Sequence, residues 1–329
     1  MNERMLVTHT GDTPRWQMIQ EEMKTPAEDE VQIRVAYAGI ANADFMMMRG
    51  KYPKETKVPF TPGYDITGEV IACGSHVLDI SIGTKVAALT ETGGYTTYIN
   101  LPVEEVIVLP DDSDLQKMSP LMLNYVTAYQ MMFRKAELKA GDQTLIQGAA
   151  GGVGTALIQL CNYYNIQPIG TGSPEQKETI EAMGADYISY EASLKHGFKQ
   201  LYVSGVDAVF DHVGSKNWKK ELEILEEDGR LIIFGFRHGS LATNILSYIR
   251  LKLGSRRDQV TYYFIAKEKS EAPETFYHDV KKLSELQHRG AIDPVIDRIY
   301  KLQNIGQALD YFQKHGKQGK VLLAPNSES

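Results

Sequence analysis

Gln147-Gly-Ala-Ala-Gly-Gly-Val-Gly154 lies between a short apolar run and an amphipathic one, and its reading decides the fold. Residues 144–147 have the character of a strand; Val153, Ala156, Leu157, Leu160 and Tyr164 then recur at the spacing of one helical face. A glycine-rich link from strand to helix lets the backbone turn tightly and approach a pyrophosphate with no Cβ in the way. The helix start beyond it offers N–H groups and partial positive charge to the phosphates. The spacing, G-x-x-G-x-x-G, is one residue longer than the usual fingerprint, so the strand–turn–helix context carries the assignment. Gly148, Ala150, Gly151, Gly152, Val153 and Gly154 are read as the cradle of a dinucleotide.

On the C-terminal side, strand patterns at 166–170, 187–190, 206–211 and 230–235 alternate with helical ones. Ser173-Pro-Glu-Gln176 opens one helix as a capping box with proline at the first helical position, and Gly184 stops it. Ser215 reads as the cap of another helix, with Trp218, Leu222 and Leu225 on its apolar face and Asp228-Gly229 turning the chain into the next strand. Such alternation specifies an α/β fold with a doubly wound parallel sheet, the Rossmann arrangement. Pro168 conflicts with it, because proline in an internal strand removes a ladder hydrogen bond.

On the N-terminal side the first 120 residues read as β-rich, with strands at 31–36, 66–72 and 85–89 and no sustained helical period. The texture changes at Ser119-Pro120, and 121–135 reads as a helix. Past about residue 265 come a polar helix (273–289), a strand (295–300), a capped helix (304–312) and a last strand (320–323). The expected division is 1–122 as a β-rich catalytic unit, 123–265 as the dinucleotide domain, and 266–329 as a segment returning to the first unit.

The length of 329 residues suits two domains, and 43% hydrophobic with 23% charged residues suits full cores. A net charge of −7 argues against a nucleic-acid partner. The apolar runs fall far short of the roughly 18 residues of a membrane span, and residues 1–11 lack the pattern of a secretory signal. Two cysteines, Cys73 and Cys161, make neither a disulfide framework nor a thiolate zinc site, and a reducing, cytoplasmic setting is expected. Cys161, on the apolar side of its helix, reads as a buried inert thiol.

NAD sites place an Asp or Glu about 20 residues past the first glycine to hold the ribose hydroxyls. Here that stretch reads Ile169-Gly-Thr-Gly-Ser173, with no acid. Ser173, Lys177 and Tyr190 suit a 2′-phosphate instead, so NADPH is the expected cofactor, although Lys177 also reads as an ordinary solvated lysine. Phe234, Gly235 and Phe236, where a strand ends, are also assigned to the cofactor.

Several segments in order carry a resemblance: Ala38-Gly-Ile-Ala-Asn-Ala-Asp44, Thr61-Pro-Gly-Tyr-Asp-Ile-Thr-Gly68, Thr127-Ala-Tyr129, the glycine turn, Phe210-Asp-His-Val-Gly214 and Gly319-Lys-Val-Leu-Leu323. Over nearly its whole length the chain resembles the medium-chain dehydrogenase/reductase superfamily, and within it the zinc-free quinone oxidoreductases of the zeta-crystallin type. Its length and residues 240–264 also resemble the synaptic-vesicle-membrane-protein-like branch. The resemblance implies a GroES-like catalytic domain beside the Rossmann domain. It also implies a homodimer in which a strand at 259–264 pairs with its copy.

In the zinc alcohol dehydrogenases of that superfamily, a cysteine and a histidine near the first two segments ligate the metal. Here those places read Ala41-Asn42 and Gly63-Tyr64-Asp65, so no metal site is expected. The resemblance sets Asn42, Asp44, Tyr52 and Tyr64 around nicotinamide and substrate, and Thr127 by the nicotinamide or phosphates. Plainer roles stay open: a loop tie for Asn42, a helix cap for Asp44, packing for Tyr52, a filled metal position for Tyr64 and a backbone bond for Thr127. Lys320 reaches either the cofactor or solvent, and His212 lies near the cofactor.

Hydride transfer without a metal rests on proximity and on polar groups that stabilise a developing oxyanion. Quinones and α,β-unsaturated carbonyls (enones) are the expected substrates. The alternative is an NADPH-binding regulatory or interaction protein with little turnover. Met46-Met47-Met48 and Met131-Met132 read as core or as an adaptable lining. Arg250, Lys252, Arg256 and Arg257 read as a solvated loop, with an acidic substrate or membrane lipid as the alternative.

Overall fold

A ribbon of two antiparallel strands, β1 (Asn2–His9) and β2 (Arg15–Glu21), precedes the first sheet. β3 (Glu30–Ile40), β4 (Asp65–Cys73), β5 (Lys85–Leu89), β6 (Tyr98–Pro102) and β7 (Val106–Val108) pair antiparallel with one another. Alternation drives the pairing: Val31, Ile33 and Val35 are wholly buried, while Arg34 faces out. The computed structural model describes residues 1–190, 192, 194–201, 205–237, 241–314 and 318–326.

β8 (Gln143–Ile146), β9 (Gln167–Gly172), β10 (Asp186–Ser189), β11 (Val206–Asp211), β12 (Leu225–Ile233) and β13 (Val260–Tyr262) form a second, wholly parallel sheet. Its order, β10-β9-β8-β11-β12-β13, is that of a Rossmann domain, with the topological switch between β8 and β11. Both faces are buried. Ile146, Ala208, Phe210 and Ile232 face a core shared with the first sheet, whereas Leu145, Val209, Leu231 and Ile233 face a second core around Trp218.

β14 (Ile296–Lys301) and β15 (Lys320–Ala324) then add to the first sheet, β15 running antiparallel to β3 and parallel to β14. The sheet reads β14-β15-β3-β4-β5-β7, with β6 also on β3. No helix among the described residues is long and apolar enough to cross a membrane.

Several local expectations are revised. The conflict over Pro168 dissolves, because the Gln167 N–H donates toward β8 (to Asp142 O, 2.8 Å) and the alternation turns the Pro168 nitrogen the other way. On that side β10 begins pairing only at Ile169, so no ladder bond is lost. Ser215 is the first residue of its helix; Gly214, at φ 114°, holds the cap position, and Leu225 belongs to β12. Asp228-Gly229 lies within β12, between the Leu225 and Arg230 pairings with β11, instead of preceding the strand.

The single helix expected at 121–135 is three pieces: a 3-10 turn (Ser119–Met122), an α-helix (Asn124–Gln130) and a π turn (Met131–Lys135). The β-rich unit contains a helix, Asn42–Met48, too short to register as a period. The basic stretch is not a loop throughout, since Arg250 and Lys252 end the helix Leu241–Lys252. Lys252 Nζ donates to the carbonyls of Arg257 (2.9 Å) and Val260 (3.1 Å), and Arg256 donates to that of Leu222, so two of these cations are staples.

Candidate active site

The glycine turn leaves β8 at the switch point, and steric room explains most of its glycines. Gly148 sits at φ 68°, and a Cβ there would lie 2.4 Å from His212 Cε1 and 3.3 Å from the Tyr190 hydroxyl. A Cβ on Gly152 would meet Asn124 Nδ2 at 2.2 Å, and one on Gly154 the carbonyls of Gly148 and Ala149 at 2.5 and 2.6 Å. Gly151, the N-cap of the helix Gly152–Tyr163, would meet only Gly148 O, at 3.3 Å. The Gly148 N–H is committed to Thr171 Oγ1 (3.2 Å) and that of Ala149 to Thr171 O (2.9 Å). The N–H groups of Gly152, Val153 and Gly154, in the first helical turn, have no intrahelical partner and are the ones that could hold an anion.

Ser173 closes its capping box as read, its N–H donating to Gln176 Oε1 at 3.1 Å. Lys177 is more than half exposed, with Nζ 3.8 Å from Glu181. Arg237, which the sequence reading missed, donates its N–H to His212 O at 2.9 Å and sets a cation beside Tyr190. Phe234 packs on the His212 ring at 5.6 Å, and Gly235 lies against the same residue. Phe236, partly buried, stacks on Tyr262 at 5.5 Å and packs on Trp218, against the second core.

Three other assignments change with burial. Asp44 has no exposure at all, and accepts from the N–H groups of Ala41 (2.9 Å) and Gly63 (2.9 Å) and from the Tyr95 hydroxyl (2.8 Å). Burial nevertheless pushes this carboxyl up to about 6. It ties the helix Asn42–Met48 to the Gly63-Tyr64 turn and presents no exposed surface, so the capping role is the one the geometry supports. Thr127, 5% exposed, is buried near Tyr263, whose hydroxyl donates to Gln130 Oε1 at 2.9 Å; Asn124, on the same helix, is the residue that meets the glycine turn. Lys320 faces neither solvent nor a free site: it is 2% exposed, and Nζ donates to Asp65 Oδ1 at 2.8 Å. Gly39 makes room for that pair, since a Cβ there would lie 2.1 Å from Lys320 Cε.

The Tyr52 and Tyr64 hydroxyls meet at 2.6 Å, and Tyr52 is tilted against Phe264 with ring centres 5.6 Å apart. Burial pushes both phenols far above their ordinary value, so both stay protonated and available as donors at neutral pH. Phe264, unremarked in the sequence except as the end of a strand, follows β13 and so brings a ring from the Rossmann side against Tyr52. Asn42 is exposed at the first position of its helix. Met47, Met48, Met131 and Met132 are core residues. No group of three or more His, Cys, Asp or Glu among the described residues is placed to hold a metal ion, and Ala41, Asn42 and Tyr64 supply no zinc ligand set.

Two consecutive residues join the two regions. The Gly319 N–H donates to Ala150 O at 2.9 Å, bridging β15 to the glycine turn, and Lys320 binds Asp65, the neighbour of Tyr64. A Rossmann sheet clasped in this way to a GroES-like unit defines a two-domain dehydrogenase or reductase. The chain belongs to the medium-chain dehydrogenase/reductase superfamily. Residues 27–111 match the alcohol dehydrogenase GroES-like domain family and residues 152–271 the zinc-binding dehydrogenase family.

The rat synaptic vesicle membrane protein VAT-1 homolog is 28% identical over 318 residues, 92% of this chain and 78% of that protein. The pig quinone oxidoreductase is 29% identical over 307 residues, 91% and 90% of the two chains. The structure of Escherichia coli quinone oxidoreductase complexed with NADPH shares the fold, at 24% identity and a TM-score of 0.86 over 99% of this chain and 100% of that one.

Proposed function

We propose that the chain is an NADPH-dependent reductase that delivers hydride to a quinone or an α,β-unsaturated carbonyl without a metal. The observation that supports this reading is the clasp at Gly319-Lys320, which ties the glycine turn at Ala150 to Asp65, the neighbour of Tyr64. The bound nicotinamide supplies the hydride. The first turn of the helix Gly152–Tyr163 holds the pyrophosphate. Ser173, Lys177, Tyr190 and Arg237 receive the 2′-phosphate, which no nearby carboxylate opposes at 169–173.

Tyr52 donates to the acceptor's carbonyl oxygen as charge develops there, and Tyr64 donates to Tyr52 in turn. The Tyr52 and Phe264 rings make an aromatic wall suited to a planar acceptor. Asp44 holds the Gly63-Tyr64 turn in register. β13 has β12 as its one strand neighbour among the described residues, and we extend the proposal to a homodimer paired through that edge.

Stopped-flow mixing with NADPH and a panel of quinones and enones tests the reading. Oxidation of NADPH by at least one of these acceptors is expected. Tight NADPH binding with no oxidation by any acceptor would favour instead a cofactor-binding regulatory protein, a reading to which the VAT-1 relatives, named for a vesicle membrane, lend weight.

A further inference from the structure

Beneath the glycine turn, a line of buried side chains leads away from the cofactor face. Gln147, 3% exposed, follows β8 and directs Nε2 to Glu221 Oε1 at 2.8 Å. Its Oε1 accepts the Thr171 hydroxyl at 2.7 Å, and Thr171 Oγ1 accepts the Gly148 N–H at 3.2 Å. The bonds have one direction. The Thr171 hydroxyl has two acceptors in reach, Gln147 Oε1 at 2.7 Å and Ile146 O at 3.4 Å; donating to the nearer one leaves a lone pair for Gly148 and turns the Gln147 Nε2 toward Glu221. Glu221 accepts at the far end through Oε1, the oxygen that stays unprotonated when the proton sits on the partnerless Oε2.

Glu221 is an unusual residue for this place. It sits on the helix Ser215–Glu223 with no exposure, and its second oxygen has no hydrogen-bond partner. Asp211 lies near it, and already accepts from the N–H groups of Val213 (2.9 Å) and Gly214 (3.0 Å) and from Trp218 Nε1 (2.7 Å). Two buried acids with three donors on one and one on the other resolve their repulsion by leaving the charge on Asp211 and the proton on Glu221. Burial and the Asp211 charge both push the Glu221 carboxyl far up. An apolar residue would fill the same volume without such a cost, so the acceptor oxygen is the feature that distinguishes glutamate here.

We propose that Glu221 is a positioning residue which, through Gln147 and Thr171, sets the first glycine of the turn and so tunes dinucleotide affinity without touching the dinucleotide. The affinity half rests on the cofactor reading above; the anchoring half does not. NADPH and NADH titrations, followed by cofactor fluorescence, read the first. Thr171→Val and Glu221→Leu are expected to weaken both dinucleotides alike by about tenfold, while Thr171→Ser and Glu221→Gln stay within about twofold. Glutamine rescues because it keeps the accepting oxygen and matches the neutral acid.

Amide hydrogen exchange at Gly148 in the cofactor-free protein reads the second half. Protection should fall in Thr171→Val and Glu221→Leu and persist in the two conservative variants. If Glu221→Leu fails to fold, the isosteric Thr171→Val carries the measurement. Wild-type Gly148 protection and wild-type affinity in a folded Thr171→Val overturn the proposal. A wild-type chain that binds neither dinucleotide, with Gly148 protection following the line as expected, overturns the cofactor reading and the affinity half while the anchor stands.

Discussion

The hydroxyl oxygens of Tyr52 and Tyr64 lie 2.6 Å apart, and Tyr64, at 1% exposure, has no route of its own to solvent. Tyr52 is thus the outer member of the pair and Tyr64 the inner one. Tyr52→Phe is expected to lower kcat/KM for quinones or enones by about 10²-fold, the loss typical of one oxyanion donor. Tyr64→Phe should cost less, since Tyr52 remains. NADPH affinity should be unchanged in both, which steady-state kinetics and cofactor titration together check.

Lys177 bears on the choice of cofactor. It is solvent-exposed and its nearest acid, Glu181, is 3.8 Å away, so a phosphate competes with little for it. Lys177→Ala should weaken NADPH by roughly ten- to a hundredfold and leave NADH nearly unaffected. Equal losses for the two cofactors would remove Lys177 from the 2′-phosphate site.

Gly154 and Gly151 should separate folding from binding. An alanine at 154 drives its Cβ onto backbone carbonyls 2.5 and 2.6 Å away, and Gly154→Ala should cost about 1–3 kcal/mol in thermal or urea denaturation. Gly151→Ala meets a single carbonyl at 3.3 Å and should leave stability near wild type. Its methyl group stands at the mouth of the helix, so dinucleotide affinity should fall instead.

The Lys320–Asp65 pair is buried at both ends. Lys320→Met leaves the Asp65 carboxylate without compensation and should destabilise the protein by about 3–5 kcal/mol. The double variant Asp65→Leu/Lys320→Met should recover much of that loss, as seen by urea unfolding.

Asp44 gives a pH dependence of defined sign. Its carboxyl is raised from 3.8 to about 6, chiefly by burial, so the folded chain holds this proton more tightly than the unfolded chain does. The associated stability is fully present below pH 3.8, is lost as the pH rises to about 6, and is constant above that. Relative to Asp44→Asn, the wild type should lose about 3 kcal/mol across that window, measured by chemical denaturation at a series of pH values.

The Rossmann half was readable from sequence because its determinants are local. A strand, a glycine turn and a capped helix each lie within a few residues, and Ser173 with Gln176 needs no distant partner. The site was less readable because its determinants are not local. Nothing near Lys320 announces Asp65, 255 residues away, and both readings of that lysine assumed a cation free to act. Asp44 carried a family resemblance, yet its role follows from Tyr95 and Gly63, which fill it. Phe264 and Arg237 lack any pattern in sequence; only the meeting of two domains and the end of β12 give them a place. The Phe236 contacts with Tyr262 were not legible for the opposite reason, since adjacency to Gly235 says nothing about which face of the sheet a side chain takes.

Because β15 pairs with residues 38–40 of β3, the order of synthesis and the order of assembly differ. During translation every strand of the parallel sheet, the last ending at Tyr262, has been made before Lys320 leaves the ribosome. The β-rich unit is by then the older part of the nascent chain, yet it still carries an open strand edge and an unpaired Asp65. An early domain that must wait for the last strands is exposed to mispairing and to chaperone capture in that interval. The same wait means that Gly319 and Lys320 engage Ala150 and Asp65 together, so a nascent chain ties its two sheets to each other in one late event.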